Sequence, residues 1–199
     1  MRRIFIAPPS ILSVAIFLPL LLLQPFPLFA NLNGPPPEGD WIIREPTVVK
    51  DETITMNGNI KVYSDLTLEN VTLYMNCQVN RQYKIYVAPE GAIHIKNTLI
   101  TSTTPDGEHQ YNFKVYGVFE AENSEISQAY IVDLVGALKA NIKNTYFHDN
   151  TYALYLRGTS SANIENNTFT NNSKALVLSE AHGNLIKNNA FKGNYIGVY

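Results

Sequence analysis

Six short runs, Ile85–Val87, Phe113–Val115, Val132–Leu134, Leu154–Leu156, Leu176–Leu178 and Val198–Tyr199, alternate as strands do and turn one side chain of each to the opposite face. Those side chains are Tyr86, Lys114, Asp133, Tyr155, Val177 and Tyr199, and Arg157 lies two positions beyond Tyr155. A tyrosine ring has an apolar face and a polar edge, which suits a sugar ring with its C–H faces and hydroxyl rim. Tyr86, Lys114, Asp133, Tyr155, Arg157 and Tyr199 therefore form a candidate carbohydrate-binding row. The plainer account is a solvated sheet face, because tyrosine and valine are good strand residues. On that account the adjacent Lys114 and Asp133 make a cross-strand contact contributing about 0.2–1 kcal/mol. Two insertions, Asn76–Tyr83 and Thr103–Tyr111, lead into the first two of these strands and are expected to leave the same edge as neighbours. They supply a candidate rim of Arg81, Tyr83, Asp106, His109 and Tyr111.

Catalytic chemistry is harder to find. Glycoside hydrolysis needs two carboxylates at a set separation, and calcium needs several on neighbouring turns of chain. The row offers Asp133 alone, so no catalytic residue is assigned. Copper would need His, Met or Cys gathered in space. His94 lies in a strand, His109 in an insertion, His148 after Phe147 and His182 in an Ala-His-Gly turn, which are four different columns of the pattern below. Met75 and Cys77 alternate with Leu73 and are expected to face inward. No metal site and no cofactor is assigned. Cys77 is the only cysteine, so an intrachain disulfide is impossible and the thiol is expected to be buried and structural.

What positions the row is a repeat of 22 residues. Ala140–Ser161, Ala162–Gly183 and the opening Asn184–Tyr199 align Ile142 with Ile164 and Ile186, and Phe147 with Phe169 and Phe191. A fixed period of this length means one structural unit stacked on itself. Its marker is a charged residue, then asparagine, then two variable residues and an apolar one. Asn70, Asn97, Asn123, Asn144, Asn166 and Asn188 carry it at spacings of 27, 26, 21, 22 and 22 residues. Residues 140–199 hold 12 asparagines, a residue that tolerates left-handed turns and bonds its own backbone. Three short strands joined by such turns make one coil, with like residues stacked about 4.8 Å apart. The six marker asparagines are expected to face inward as a structural ladder. A leucine-rich repeat shares the period but wants asparagine three residues after the second leucine, where Thr159 and Ala181 stand. The predicted fold is all-β: a right-handed, single-stranded parallel β-helix of about six coils.

Composition sets the remaining bounds. Arg2-Arg3, the apolar run Ile11–Leu23 and the small Ala30 have the form of a secretory leader over residues 1–30. An uncleaved anchor is the competing reading, disfavoured by Pro19, Pro25 and Pro27 inside the run. Without Arg2 and Arg3, Lys+Arg falls from 15 to 13 against 17 acidic residues, a net charge of −4. That balance argues against nucleic acid as a partner, and no membrane contact is expected once the leader is removed. Residues 31–40 read as a Pro/Gly spacer and 41–199 as the β-helix. Within it, 41–60 form an N-terminal cap and first strands, 61–139 irregular coils with insertions, and 140–199 the regular repeats. No polar cap follows Ile196–Tyr199, so end-to-end self-association is expected.

At this point the chain resembles a known group. Asn166–Leu178, N-x-x-F-x-x-N-x-x-A-L-x-L, looks like the consensus of right-handed parallel β-helix repeat proteins, pectate-lyase-like or of the periplasmic copper-binding kind. Gly39-Asp40-Trp41, Asn59-Ile-Lys-Val and Leu66–Leu73 look like the first coils of prokaryotic, and in particular archaeal, surface proteins. The resemblance implies an exported protein, at the cell surface or in the periplasm, that binds or scaffolds polysaccharide. It also implies two alternatives: a polysaccharide lyase or glycoside hydrolase with a degenerate site, and a copper-binding accessory protein. The Asn-Thr-Asp, Gly-Asp-Asp and Gly-His-Gly strings of polygalacturonase-like relatives do not occur here.

Overall fold

The computed structural model describes residues 34–199; the leader assignment over 1–30 and the start of the spacer lie outside the described residues. Twenty-two short strands run from Trp41 to Val198, all pairing in parallel. Each coil lays down one strand in each of three sheets and then returns one level further along. Tyr152–Arg157, Asn163–Glu165 and Thr168–Thr170 make one such coil, and Lys174–Ser179 starts the next on top of Tyr152–Arg157. The first sheet has eight strands, the second and third seven each.

Alternation within each strand fills the interior. Lys84–Val87 buries Ile85 and Val87 and turns Tyr86 out; Tyr111–Val115 buries Phe113 and Val115 and turns Lys114 out. Since each level repeats the last, like residues stack. Phe147 lies parallel on Phe169 at 5.0 Å between ring centres, and Phe169 on Phe191 at 5.1 Å. Cys77 is buried in this core, and burial pushes its thiol pKa up.

The coil count exceeds the expected six by one. Trp41–Ile43, Thr47–Lys50 and Thr53–Met56 form a complete coil where a cap and first strands were expected. Its corner residue is Asp51, with φ 57°, in the place the other coils give to asparagine. Asp40 holds this coil to the next: its carboxylate accepts from the Asn59 backbone N–H at 2.8 Å and meets Lys61 Nζ at 2.6 Å.

The asparagine ladder is corrected by one residue. Asn70, Asn97, Asn123, Asn144, Asn166 and Asn188 are exposed, and their φ angles lie between 48° and 58°. They are the left-handed corner between the second and third sheets, a conformation asparagine adopts at less cost than most residues. The inward bonding falls to the next residue: Thr98, Ser124, Thr145, Asn167 and Asn189. Thr98 Oγ1 accepts from Val71 N at 3.1 Å, and Ser124 Oγ accepts from Thr98 N at 3.2 Å. Asn167 Oδ1 accepts from Thr145 N at 2.9 Å, while its Nδ2 donates to Ile142 O at 2.9 Å and to Asn189 Oδ1 at 3.0 Å. A second inward ladder, Asn150, Asn172 and Asn194, spans the turn from the third sheet back to the first.

Candidate ligand-binding face

The outward row on the first sheet is continuous. Strand register sets Lys61 beside Tyr86, Tyr86 beside Lys114, Lys114 beside Asp133, Asp133 beside Tyr155, and Tyr155 beside Val177. Tyr199 continues it, exchanging backbone bonds with Leu176 and Leu178 at 2.9 Å each. The six candidate row residues therefore share one face.

More rings belong to that face than the row contains. Tyr63, Tyr86 and Tyr116 follow one another at 6.3 and 5.8 Å between centres. Tyr130, Tyr152 and Tyr155 form a second group at 6.1 Å per step. Over these rings lie cations. Lys84 covers Tyr86 and Arg157 covers Tyr155, each two residues along its own strand and so on the same side, and Lys114 covers Tyr116 just past its strand's end. Arg44 lies 5.3 Å from the Tyr63 ring centre and Arg81 4.4 Å from that of Tyr130. Lys174 reaches both Tyr152, at 5.2 Å, and Tyr199, at 4.9 Å. All seven cation–ring contacts among the described residues lie on this face or at its edges. A lysine or arginine and a tyrosine two apart in a strand is a signal readable in the sequence, and it would have enlarged the candidate set to include Tyr116, Tyr63 and Lys84.

Asp133 is the sole carboxylate in the strands of this sheet. A shift of register beside it, where Ala129–Val135 bulges against its neighbours, tucks it in to 5 % exposure. Its Oδ2 is 3.4 Å from Arg157 Nη2, and its buried Oδ1 has no hydrogen-bond partner among the described residues. Burial pushes its pKa up, against the pull of Arg157 and Lys114.

The two insertions meet as neighbours: Arg81 N donates to Gln110 O at 2.6 Å, and Thr103 Oγ1 to Asn76 Oδ1 at 2.8 Å. Their side chains divide. Arg81 joins the face through Tyr130. Asp106 and His109 close the insertion on itself, with His109 Nδ1 and Asp106 Oδ2 at 2.6 Å. Tyr83 is half-buried against the core. Tyr111, read from sequence as rim, is fully buried; its hydroxyl donates to Ile100 O at 3.3 Å, because the strand begins at Tyr111 itself and points it inward. Two of the other three histidines are engaged elsewhere: His94 with Glu120 on the second sheet, and His148 between Glu125 and Asp149 on the third.

Two surface hollows of about 470 and 520 Å³ open away from this face. One lies at the Asn97–Asn123–Asn144 corner and the other between Asp106, Gln110 and Gln128. Both are shallow and neither is touched by the ring-and-cation set. An extended flat strip holds a polymer better than a small molecule, so the strip and not a hollow is the candidate site.

A family model described as a right-handed beta helix region matches residues 63–199, more than two thirds of the chain, and the chain belongs to that family. No curated protein and no solved structure matches it.

Proposed function

We propose that this β-helix protein is an exported binding or scaffolding protein that holds a polysaccharide along the outward face of its first sheet, at the cell surface or in the periplasm. The observation that carries the reading is the array of half-exposed tyrosine rings on consecutive coils, edged with hydrogen-bonding groups and cations. Tyrosine loses little conformational freedom on binding and presents one apolar face and one polar tip, so successive rings can take successive sugars. Coils repeat at about 4.8 Å, the strand spacing, which suits a linear polymer running along the axis. The strands of this face bring one carboxylate where hydrolysis needs a pair, which favours binding over turnover. Export rests on the leader-like form of residues 1–30.

A glycan array probed with the purified chain tests this. Retention of linear glycans is expected, and loss of that retention in the Tyr86→Ala/Tyr155→Ala double variant with an unchanged melting temperature. An empty array, or undiminished retention by the double variant, would overturn it.

A further inference from the structure

We infer that Asn70, Asn166 and Asn171 are acceptor sites for N-linked glycans, added as the chain is exported. The inference rests on the export reading above and is independent of what the first sheet binds. Each of the three opens an Asn-x-Ser/Thr tripeptide, with Thr72, Thr168 and Ser173 two residues on. No other asparagine of the sequence does so. All three are exposed left-handed corners, with φ of 57°, 58° and 56°. Asn70 and Asn166 stand at the corner between the second and third sheets, and Asn171 at the corner between the third and the first. The tripeptides avoid the inward ladders. Asn166-Asn167 and Asn171-Asn172 each join an exposed corner to a buried hydrogen-bonding residue, and in both the hydroxyl stands two residues after the exposed one.

The corner geometry suits the transfer. The co-reactant is a lipid-linked sugar donor, in which the anomeric carbon of the first sugar is bonded to a phosphate oxygen. Asparagine Nδ2 attacks that carbon. The nitrogen–carbon bond forms, the carbon–oxygen bond breaks, the lipid phosphate leaves with the electron pair, and Nδ2 gives up one of its two protons. The proton that stays can still donate. Asn70 needs this, because its Nδ2 donates to Asp51 Oδ1 at 2.9 Å. The side chains of Asn166 and Asn171 are held by no hydrogen bond among the described residues. One coil beyond Asn171 the corner is Gly193, where a side-chain carbon would come within 2.8 Å of Asn171 Oδ1. Bare backbone at that level leaves the Asn171 amide its room. Asn188 supplies the internal contrast to Asn166: it is exposed with φ 55° and precedes the inward Asn189, but Ala190 stands where the hydroxyl would be. Glycans on Asn166 and Asn171 would flank the strand Thr168–Thr170 on both sides, turning the third sheet to water, while the strands of the first sheet carry no acceptor.

Expression of the full chain, residues 1–30 included, in a secretory cell that carries an oligosaccharide-transfer enzyme decides this. Enzymatic release of N-glycans in heavy-oxygen water turns each occupied asparagine into a labelled aspartate, which peptide mass spectrometry locates. Label is expected at Asn70, Asn166 and Asn171, and at none of the corners Asn97, Asn123, Asn144 and Asn188. The glycosylated chain should keep the far-ultraviolet circular dichroism of the unmodified one, since all three sites face outward. Thr168→Ala should abolish the label at Asn166 and keep it at Asn171. Ala190→Thr should add a site at Asn188; Ala190 sits beside Thr168 in the same outward column, so the hydroxyl has a place. A second arm carries the same chain behind an established leader. Label at the three sites in that arm alone would overturn the export reading and leave the acceptor sites standing. A chain secreted by its own leader without label would overturn the inference and leave export standing. An unlabelled chain in both arms, or label spread to corners that lack the hydroxyl, would also overturn the inference.

Discussion

Replacing Asn167 and its neighbour Asn166 separates two roles that adjacent asparagines play. Asn167 is buried, and Asn167→Ala removes the acceptor of the Thr145 N–H and the donor to the Ile142 carbonyl. Both groups lie inside the solenoid, where water does not replace the lost partner. An unsatisfied buried donor or acceptor costs about 1–3 kcal/mol, so the two together cost about 2–6 kcal/mol. Asn189 Oδ1 keeps its bond from the Asn167 backbone N–H at 2.9 Å, and it is therefore not counted. Asn166 is exposed with φ 58° and bonds nothing buried. Asn166→Ala then costs only the left-handed conformation, about 1–2 kcal/mol, and Asn166→Gly costs close to nothing. Urea denaturation read by far-ultraviolet circular dichroism gives the three values. Because a solenoid can lose coils separately, hydrogen exchange at the Thr145 amide adds a local reading, which should quicken in Asn167→Ala alone. If Asn166→Ala proves as costly as Asn167→Ala, the inward ladder has been assigned to the wrong column.

Three further outcomes are expected. A side chain at Gly117 would overlap the carbonyl oxygens of Gly91 and Ala88, so Gly117→Ala should destabilise by about 1–3 kcal/mol in denaturant titration; an unchanged midpoint would mean these coils are more widely spaced. Burial opposes charge on His148, but the hydrogen bonds its ring donates to the Asp149 and Glu125 carboxylates outweigh it and raise its pKa, so its contribution is present below pH about 6.5 and fades as pH rises through the folded value. His148→Gln should accordingly lower the melting temperature at pH 5.5 and leave it unchanged at pH 8.5; a deficit that grows with pH would refute the sign. In the last coil Leu185 and Val198 are more than half exposed beside unpaired edges of all three sheets. The 199-residue chain is proposed to associate through that end, which sedimentation velocity over a concentration series reads; a strict monomer with strongly protected amides over 184–199 would refute it.

The fold was legible because a solenoid repeats its own instructions. The columns of Phe147, Phe169 and Phe191, and of Ile142, Ile164 and Ile186, register three coils without reference to anything distant in the chain. The first coil escaped because its corner is Asp51, and the marker demanded asparagine. The ladder was placed one residue early for a related reason. The corner position is nearly invariant because a left-handed φ narrows the choice of residue, whereas the bonding position beside it accepts Thr98, Ser124, Thr145 or Asn167. Uniformity of type marked the backbone constraint, and the hydrogen bonds fell to the varied column. Tyr111 was misplaced because the insertion's end and the strand's start coincide there, and a one-residue difference reverses a side chain. The outward row follows from alternation and keeps its register, whereas the rings flanking it, Tyr63, Tyr116, Tyr130 and Tyr152, lie on four coils and only the last two are one 22-residue period apart.

The contrast between the first two sheets follows from stacking at the strand spacing. In a parallel sheet, identical columns put like charges about 4.8 Å apart, and each such contact is repulsive. The second sheet meets this by alternating lysine and glutamate through Lys50, Glu69, Lys96, Glu122, Lys143, Glu165 and Lys187, and the column ends nearly neutral. The first sheet meets it by interleaving: Tyr86 separates Lys61 from Lys114, and Asp133 and Tyr155 follow. Like charges in that row are then about two levels apart, close to the screening length in physiological salt, so their mutual repulsion is small. Tyr86 keeps Lys61 and Lys114 apart, while Lys61 meets Asp40 at 2.6 Å and Arg157 meets Asp133 at 3.4 Å, so the row combines rings with local ion pairs.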